Sequence, residues 1–149
     1  MRATICSAAL GLAVGLASQA ALALDYRSVG ENLAPMYDAP SQKAKPLYNI
    51  ARGTPVEVVV SLEGWSKVRD ARGDIAWIEK RLLAETRTVI VTARSAEVRA
   101  QSDAAAALVF EAEKDVVLDL LEAGPAGWAK VRHRDGQQGY VRVGQVWGL

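Results

Sequence analysis

One histidine and one cysteine are all that the 149 residues offer to metal chemistry, beside carboxylates scattered along the chain. His133 stands between Arg132 and Arg134 in a polar stretch that reads as a turn. A hydrolase triad needs a neutral histidine held between a nucleophile and an orienting carboxylate, and a charged turn tip with two cationic neighbours holds one poorly. His133 therefore reads as a solvated turn residue. Cys6 lies close to the N-terminus in an apolar stretch, and the rest of the chain has no thiol. That removes disulfides, thiolate metal sites and cysteine nucleophiles together, and a lone histidine leaves no ligand set with zinc-type spacing. No catalytic set, cofactor or metal is expected, and the chain reads as a binding protein rather than an enzyme.

The aromatic residues are the better candidates. Trp65 and Trp128 occupy matching places in Gly64-Trp65-Ser66-Lys67-Val68-Arg69 and Gly127-Trp128-Ala129-Lys130-Val131-Arg132. One reading makes each indole a core ring that covers the end of a small barrel, so that truncation to alanine would cost roughly 3–5 kcal/mol. The other makes it a ligand platform. Trp77 and Tyr140 are each followed by an apolar residue on a strand-like segment, so one neighbour faces in and the other out, and the sequence leaves the choice open. If the aromatic faces out beside the tryptophan, a groove results that suits a proline-rich peptide or the flat face of a sugar ring. Tyr37, Tyr48 and Tyr26 could extend it, although Tyr48 reads better as core because its counterpart is Phe110.

These pairs belong to a repeat. Downstream of the tryptophans Gly73 answers to Gly136, Trp77 to Tyr140 and Ile78 to Val141. Upstream, Leu47-Tyr48 answers to Val109-Phe110, Val56 and Val58 to Leu118 and Leu120, and Met36 to Val98. The chain divides into a leader at 1–23, a first copy at 24–84, a polar joint and a second copy at 88–149. Each copy is near the lower size at which a domain lacking disulfides and metal folds alone, which makes packing between the copies plausible.

The positioning elements read as strands. Val56 to Val60 and Val116 to Glu122 are rich in aliphatic residues. Ser66 to Arg69 and Trp128 to Arg132 run into polar turns, and Asp135-Gly136 is a strong hairpin signal because glycine tolerates positive φ. Thr88 to Thr92 opens copy two, with a divergent counterpart at Tyr26 to Val29. Ser102 to Phe110 is alanine-rich enough for a helix, but its equivalent in copy one carries Pro46, so both read as surface loops. A short helical turn is expected at Glu79 to Leu83. The fold class is all-β, two tandem small barrels, closed or nearly so.

The N-terminus sets the expected compartment. Arg2, the uncharged run Ile5 to Leu16 and the small-residue pattern Ala21-Leu22-Ala23 together read as a signal peptide cleaved after Ala23. Ala3 to Leu24 is almost long enough to span a bilayer, so an uncleaved anchor is the competing reading. The chain after the leader balances to neutral, without a basic stripe, which gives no electrostatic reason to expect nucleic acid or an anionic membrane as partner. The acidic residues at Glu111 to Glu122, and arginines such as Arg94, Arg99, Arg132 and Arg142, read as solvated strand faces.

Three pieces resemble the bacterial Src-homology-3-like domains of exported proteins. They are Val98-Arg99-Ala100-Gln101-Ser102, the step into Lys114-Asp115-Val116-Val117-Leu118, and Gly127-Trp128-Ala129-Lys130-Val131 followed by Gly136-Gln137-Gln138-Gly139-Tyr140-Val141. Copy one departs, with Met36-Tyr37-Asp38-Ala39-Pro40-Ser41 for the first piece and Ala76 where the glycine before the aromatic belongs. The resemblance implies the barrel fold and a non-catalytic periplasmic or secreted module that contacts cell-wall peptide or glycan, or an envelope protein. The residues expected to carry contact are Trp128, Tyr140, Trp65, Trp77 and Tyr37. No nucleic acid and no stable membrane insertion after leader removal are expected. The alternative is a structural protein whose barrels pack together and present an edge strand to a partner chain.

Overall fold

The computed structural model describes residues 23–149, so the expected leader falls, but for its last residue, outside the described residues. Copy one contains β1 (Tyr26–Val29), β2 (Leu33–Tyr37), β3 (Pro46–Ala51), β4 (Pro55–Ser61), β5 (Trp65–Arg69), β6 (Ile75–Glu79) and β7 (Leu83–Ala84). Copy two repeats the series as β8 (Thr88–Val91), β9 (Ser95–Arg99), β10 (Leu108–Glu113), β11 (Val117–Ala123), β12 (Trp128–Arg132), β13 (Gln138–Arg142) and β14 (Val146–Trp147). A 3-10 turn precedes each last strand, at Lys80–Leu82 and Val143–Gln145, the first of them inside the stretch where a helical turn was expected.

Both sheets are antiparallel and share one strand order, β3-β2-β6-β5-β4-β1-β7 and β10-β9-β13-β12-β11-β8-β14. Register shifts fall at matching places, between Val58 and Val60 and between Leu120 and Glu122. An extra residue there bends the strand and lets a short sheet curl round its own side chains. The central hairpins turn on Gly73 and Gly136, at φ 91° and 96°, where a Cβ would be strained.

Ser102 to Phe110 holds no helix. Turns run to Ala106, and the chain then enters β10, the pair of β9. Alanine propensity loses here to the aliphatic and aromatic residues at Leu108 to Phe110, which satisfy their backbone groups on β9.

Each copy encloses its own aliphatic core. Met36, Val56, Val68, Ile78 and Leu82 are among the residues that fill the first, and Val89, Val98, Leu118, Val131 and Val141 are among those that fill the second. Tyr48 and Phe110 pack against the two cores at equivalent positions, as the repeat predicts. Of the two readings of Trp65 and Trp128, the one that makes each indole a core ring is overturned, since neither belongs to the buried clusters. Strand alternation is the reason: Ser66 and Val68 point inward on β5, and Ala129 and Val131 on β12, which sends Trp65, Lys67, Trp128 and Lys130 to the outer face.

The copies meet at a polar and aromatic junction. Thr88 Oγ1 donates to Gly53 O at 2.6 Å, and the Arg87 guanidinium donates to Gly148 O at 2.8 Å while lying over the Tyr26 ring, 5.4 Å from its centroid. Tyr26 also meets Trp147 edge-on, with ring centroids 5.1 Å apart. Tyr26 is thus a buried junction residue and does not extend the aromatic groove. Among the described residues no helix is long and apolar enough to cross a membrane.

Candidate functional site

The outer faces of the central strands gather the aromatic candidates. In copy one the pairing Tyr37↔Trp77↔Lys67 runs straight across β2, β6 and β5, and Trp65↔Glu79 forms the next pair along. Directly paired residues in an antiparallel sheet share a face, so these five side chains lie together on the outside. Ile78 is fully buried beneath them, which settles that Trp77 is the outward member of its pair. The rings of Tyr37 and Trp65 meet edge-to-face at 5.6 Å between centroids, and Lys67 Nζ lies 5.8 Å from the Trp77 ring.

Glu79 closes one side of this row. It accepts hydrogen bonds from Arg81 Nε at 2.7 Å and Gln42 Nε2 at 3.0 Å. These bonds, first that from Arg81 and then that from Gln42, hold its carboxyl below the usual range. The Gln42 bond also ties the loop between β2 and β3 to the edge of the aromatic row. Within that loop Asp38 Oδ1 accepts from Lys45 N at 3.0 Å. Trp65 and Trp77 are half-buried, so an aromatic surface remains open to solvent beside fixed polar groups.

The same positions of copy two carry different chemistry. The crosswise row is Arg99↔Tyr140↔Lys130, and the adjoining pair is Trp128↔Arg142. Arg142 lies over the Trp128 ring, 4.6 Å from its centroid. Arg99 is held by Glu97 and by Ala106 O, the latter at 2.8 Å. All five expected contact residues thus lie on outer faces, three of them in copy one and two in copy two. The departure of copy one at Met36 to Ser41 supplies its third ring, because Tyr37 stands where copy two has Arg99.

Lys67, Glu79, Lys130 and Arg142 join these rows without having been singled out as contact residues. Counting in steps of two from Trp65 and Trp77, and from Trp128 and Tyr140, reaches all of them. That count needed the inward members Ile78 and Val141 to be identified first.

The hairpin tips differ as well. Asp70 is buried and accepts from Arg72 N at 2.9 Å and Asp74 N at 3.0 Å, and burial beside it raises the Tyr48 phenol above its ordinary pKa. Copy two has His133 in that place, tilted against Phe110 at 5.7 Å and bonded to Asp135, so it is half-buried rather than freely solvated. Backbone and side-chain bonds from Gln137 pull the Asp135 carboxyl down to about 2. A groove of about 510 Å³ runs between the copies, bordered by Tyr48, Asp70, Ile90 and Lys114. Among the described residues no group of three or more His, Cys, Asp and Glu is placed to hold a metal ion.

The model of a family described as "Bacterial SH3 domain" matches the chain twice, over residues 30–85 and 93–148. The chain has no match among the curated proteins. Among solved structures it is similar to NlpC2 of Trichomonas vaginalis, at 16% identity over 86% of this chain and 49% of that one, with a TM-score of 0.40. It is also similar to NlpC1 of the same organism, at 18% identity over 87% of this chain and 48% of that one, TM-score 0.40. An NlpC/P60 family protein from Bacillus cereus ATCC 10987 matches at 16% identity, over 83% of this chain and 56% of that one, TM-score 0.39. The chain spans about half the length of these proteins.

Proposed function

From the premise that the chain belongs to the bacterial SH3 domain family, with two copies of the domain in tandem, we propose that it is a non-catalytic binding module of the cell envelope that recognises cell-wall peptide or glycan. The observation that carries this reading is the outer row of copy one, where Tyr37, Trp65 and Trp77 stand together, flanked by Lys67 and Glu79. Flat rings with fixed hydrogen-bonding groups at their margin suit a sugar ring, whose C–H face packs on the aromatic and whose hydroxyls reach the rim. An extended peptide with small side chains can use the same row. A periplasmic or secreted location follows from the leader expected at residues 1–23 and places the module beside such a ligand.

The test is retention on purified peptidoglycan by sedimentation. The unaltered chain is expected to sediment with the wall, and Trp65→Ala together with Trp77→Ala is expected to reduce the bound fraction strongly. Both indoles lie outside the core, so circular dichroism should show the variant folded. Undiminished retention by the folded double variant would remove the aromatic row from the account.

A second reading has its own observation. β3 and β10 are the outer strands of their sheets and expose Leu47, Leu108 and Val109. Such edges can accept a strand from another chain. Stable co-purification of an envelope protein without any affinity for the wall would favour it.

A further inference from the structure

We infer that the outer face of copy two is a second subsite of different chemistry, selective for the carboxylates of a wall peptide, while copy one takes the uncharged part of the same polymer. The inference rests on the wall-binding reading for the identity of the polymer, and on copy two alone for the charge preference. At the five positions that copy one fills with Tyr37, Trp77, Lys67, Trp65 and Glu79, copy two has Arg99, Tyr140, Lys130, Trp128 and Arg142. One cation and one anion become three cations, of which Arg99 is ion-paired with Glu97 on its own strand, so that Lys130 and Arg142 carry the unmatched charge. No acidic residue stands on β12 or β13 at all.

The cations are displayed in an ordered way. Arg142 lies over the indole of Trp128, 4.6 Å from its centroid, a contact that localises the guanidinium without using its N–H donors. Arg99 is oriented by Ala106 O and Glu97. Among the described residues Lys130 and Arg142 make no ion pair, whereas Arg132, further along the same strand, is neutralised by Asp119 at 3.1 Å. A guanidinium with free parallel donors binds a carboxylate bidentately, and Lys130 on the neighbouring strand offers a second positive site for a ligand with more than one acid group. Copy one offers such a ligand no matching donor there, because Glu79 stands where Arg142 does and is already paired with Arg81 at 2.7 Å.

The experiment compares wall-derived peptide fragments whose carboxylates are free with the same fragments amidated, by titration calorimetry on the full chain. The free acids are expected to bind, the amides at least roughly five-fold more weakly, and about 1 M salt, where screening acts over about 3 Å, is expected to abolish the difference. Arg142→Glu, which writes the copy-one residue into copy two, and Lys130→Gln should each remove most of the preference, while Arg132→Gln, at a guanidinium that Asp119 already holds, leaves it intact. Equal affinity for acid and amide, a preference unchanged in both Arg142→Glu and Lys130→Gln, or no binding of either form would overturn the inference. Its failure and that of the wall-binding reading separate cleanly. Retention on whole peptidoglycan that depends on Trp65 and Trp77 but is indifferent to amidation sinks the charge preference alone. An acid-dependent peptide signal without any retention on the wall sinks the wall reading and leaves the charge preference standing.

Discussion

Copy one and copy two keep one strand order, one set of register shifts and equivalent aliphatic interiors, yet the rows on their outer faces have little in common. The interior is constrained by packing: Val68 and Val131, or Ile78 and Val141, must fill the same space beneath the same hairpin. The outer row is free of that constraint, so Tyr37 can stand against Arg99 and Glu79 against Arg142 without cost to the fold. What differs between two copies of a fold, on a face the core does not dictate, is where their functions can diverge.

The comparison breaks most readily at the boundary between interior and face. Leu118→Ala removes a fully buried side chain and is expected to cost about 2–5 kcal/mol, read from denaturant unfolding. Trp128→Ala removes a larger side chain that lies outside the core, and about 1 kcal/mol is expected from lost cation–π contact and partial burial. Equal losses from the two would return the indole to the core and undo the division.

Next in size is the glycine that distinguishes the copies. A Cβ on Gly139 would lie 2.5 Å from Arg99 O and 2.7 Å from Val98 Cγ1, so β13 can approach β9 only without one. Gly139→Ala is expected to destabilise copy two by about 1–3 kcal/mol. Copy one already has Ala76 there, buried and accommodated, and Ala76→Gly should cost only about 0.5–1 kcal/mol through chain entropy. If Gly139→Ala were neutral in thermal unfolding, the tight approach would not be what separates the two sheets.

The junction gives a pH-dependent test. Burial, followed by the nearby Glu57 charge, raises the Tyr26 phenol above its ordinary 10.0, so the fold favours the neutral form. Its contribution is whole below pH 10 and is lost as pH rises through the elevated folded value. Stability should therefore fall more steeply above pH 10 in the unaltered chain than in Tyr26→Phe. Matching slopes would mean that the phenol is not held neutral at the junction.

The smallest effect belongs to the exposed hairpin tip of copy two. The Asp135 carboxyl titrates at about 2 in the fold against 3.8 when free, so its contribution is present above pH 4 and fades as pH falls toward 2. Any stability gap between the unaltered chain and Asp135→Asn should close over that interval. A gap that persists at pH 2 would assign the effect to something other than charge.

Much of the architecture was legible because the repeat doubles every signal. The hairpins flanking Gly73 and Gly136 and the aliphatic runs of β4 and β11 can be read directly from alternation and turn chemistry. β3 and β10 were harder. Pro46 and the alanines at 104–107 point to loops, and only pairing with β2 and β9, a contact distant in sequence, makes the next residues strands. The candidate face was half legible. Its aromatic residues stand out by type, but which of Trp77 and Ile78 faces outward depends on register, and the indoles' exclusion from the core depends on small inward neighbours such as Ser66 and Ala129. Lys130 and Arg142 have meaning only once Tyr140 and Trp128 are known to lie opposite them.

Amide chemical-shift mapping of the folded chain with soluble wall fragments addresses the binding face most directly. The largest shifts are expected at Tyr37, Trp65, Lys67 and Trp77, on the outer row of copy one. Shifts confined to the edge strands β3 and β10, with that row silent, would contradict the account.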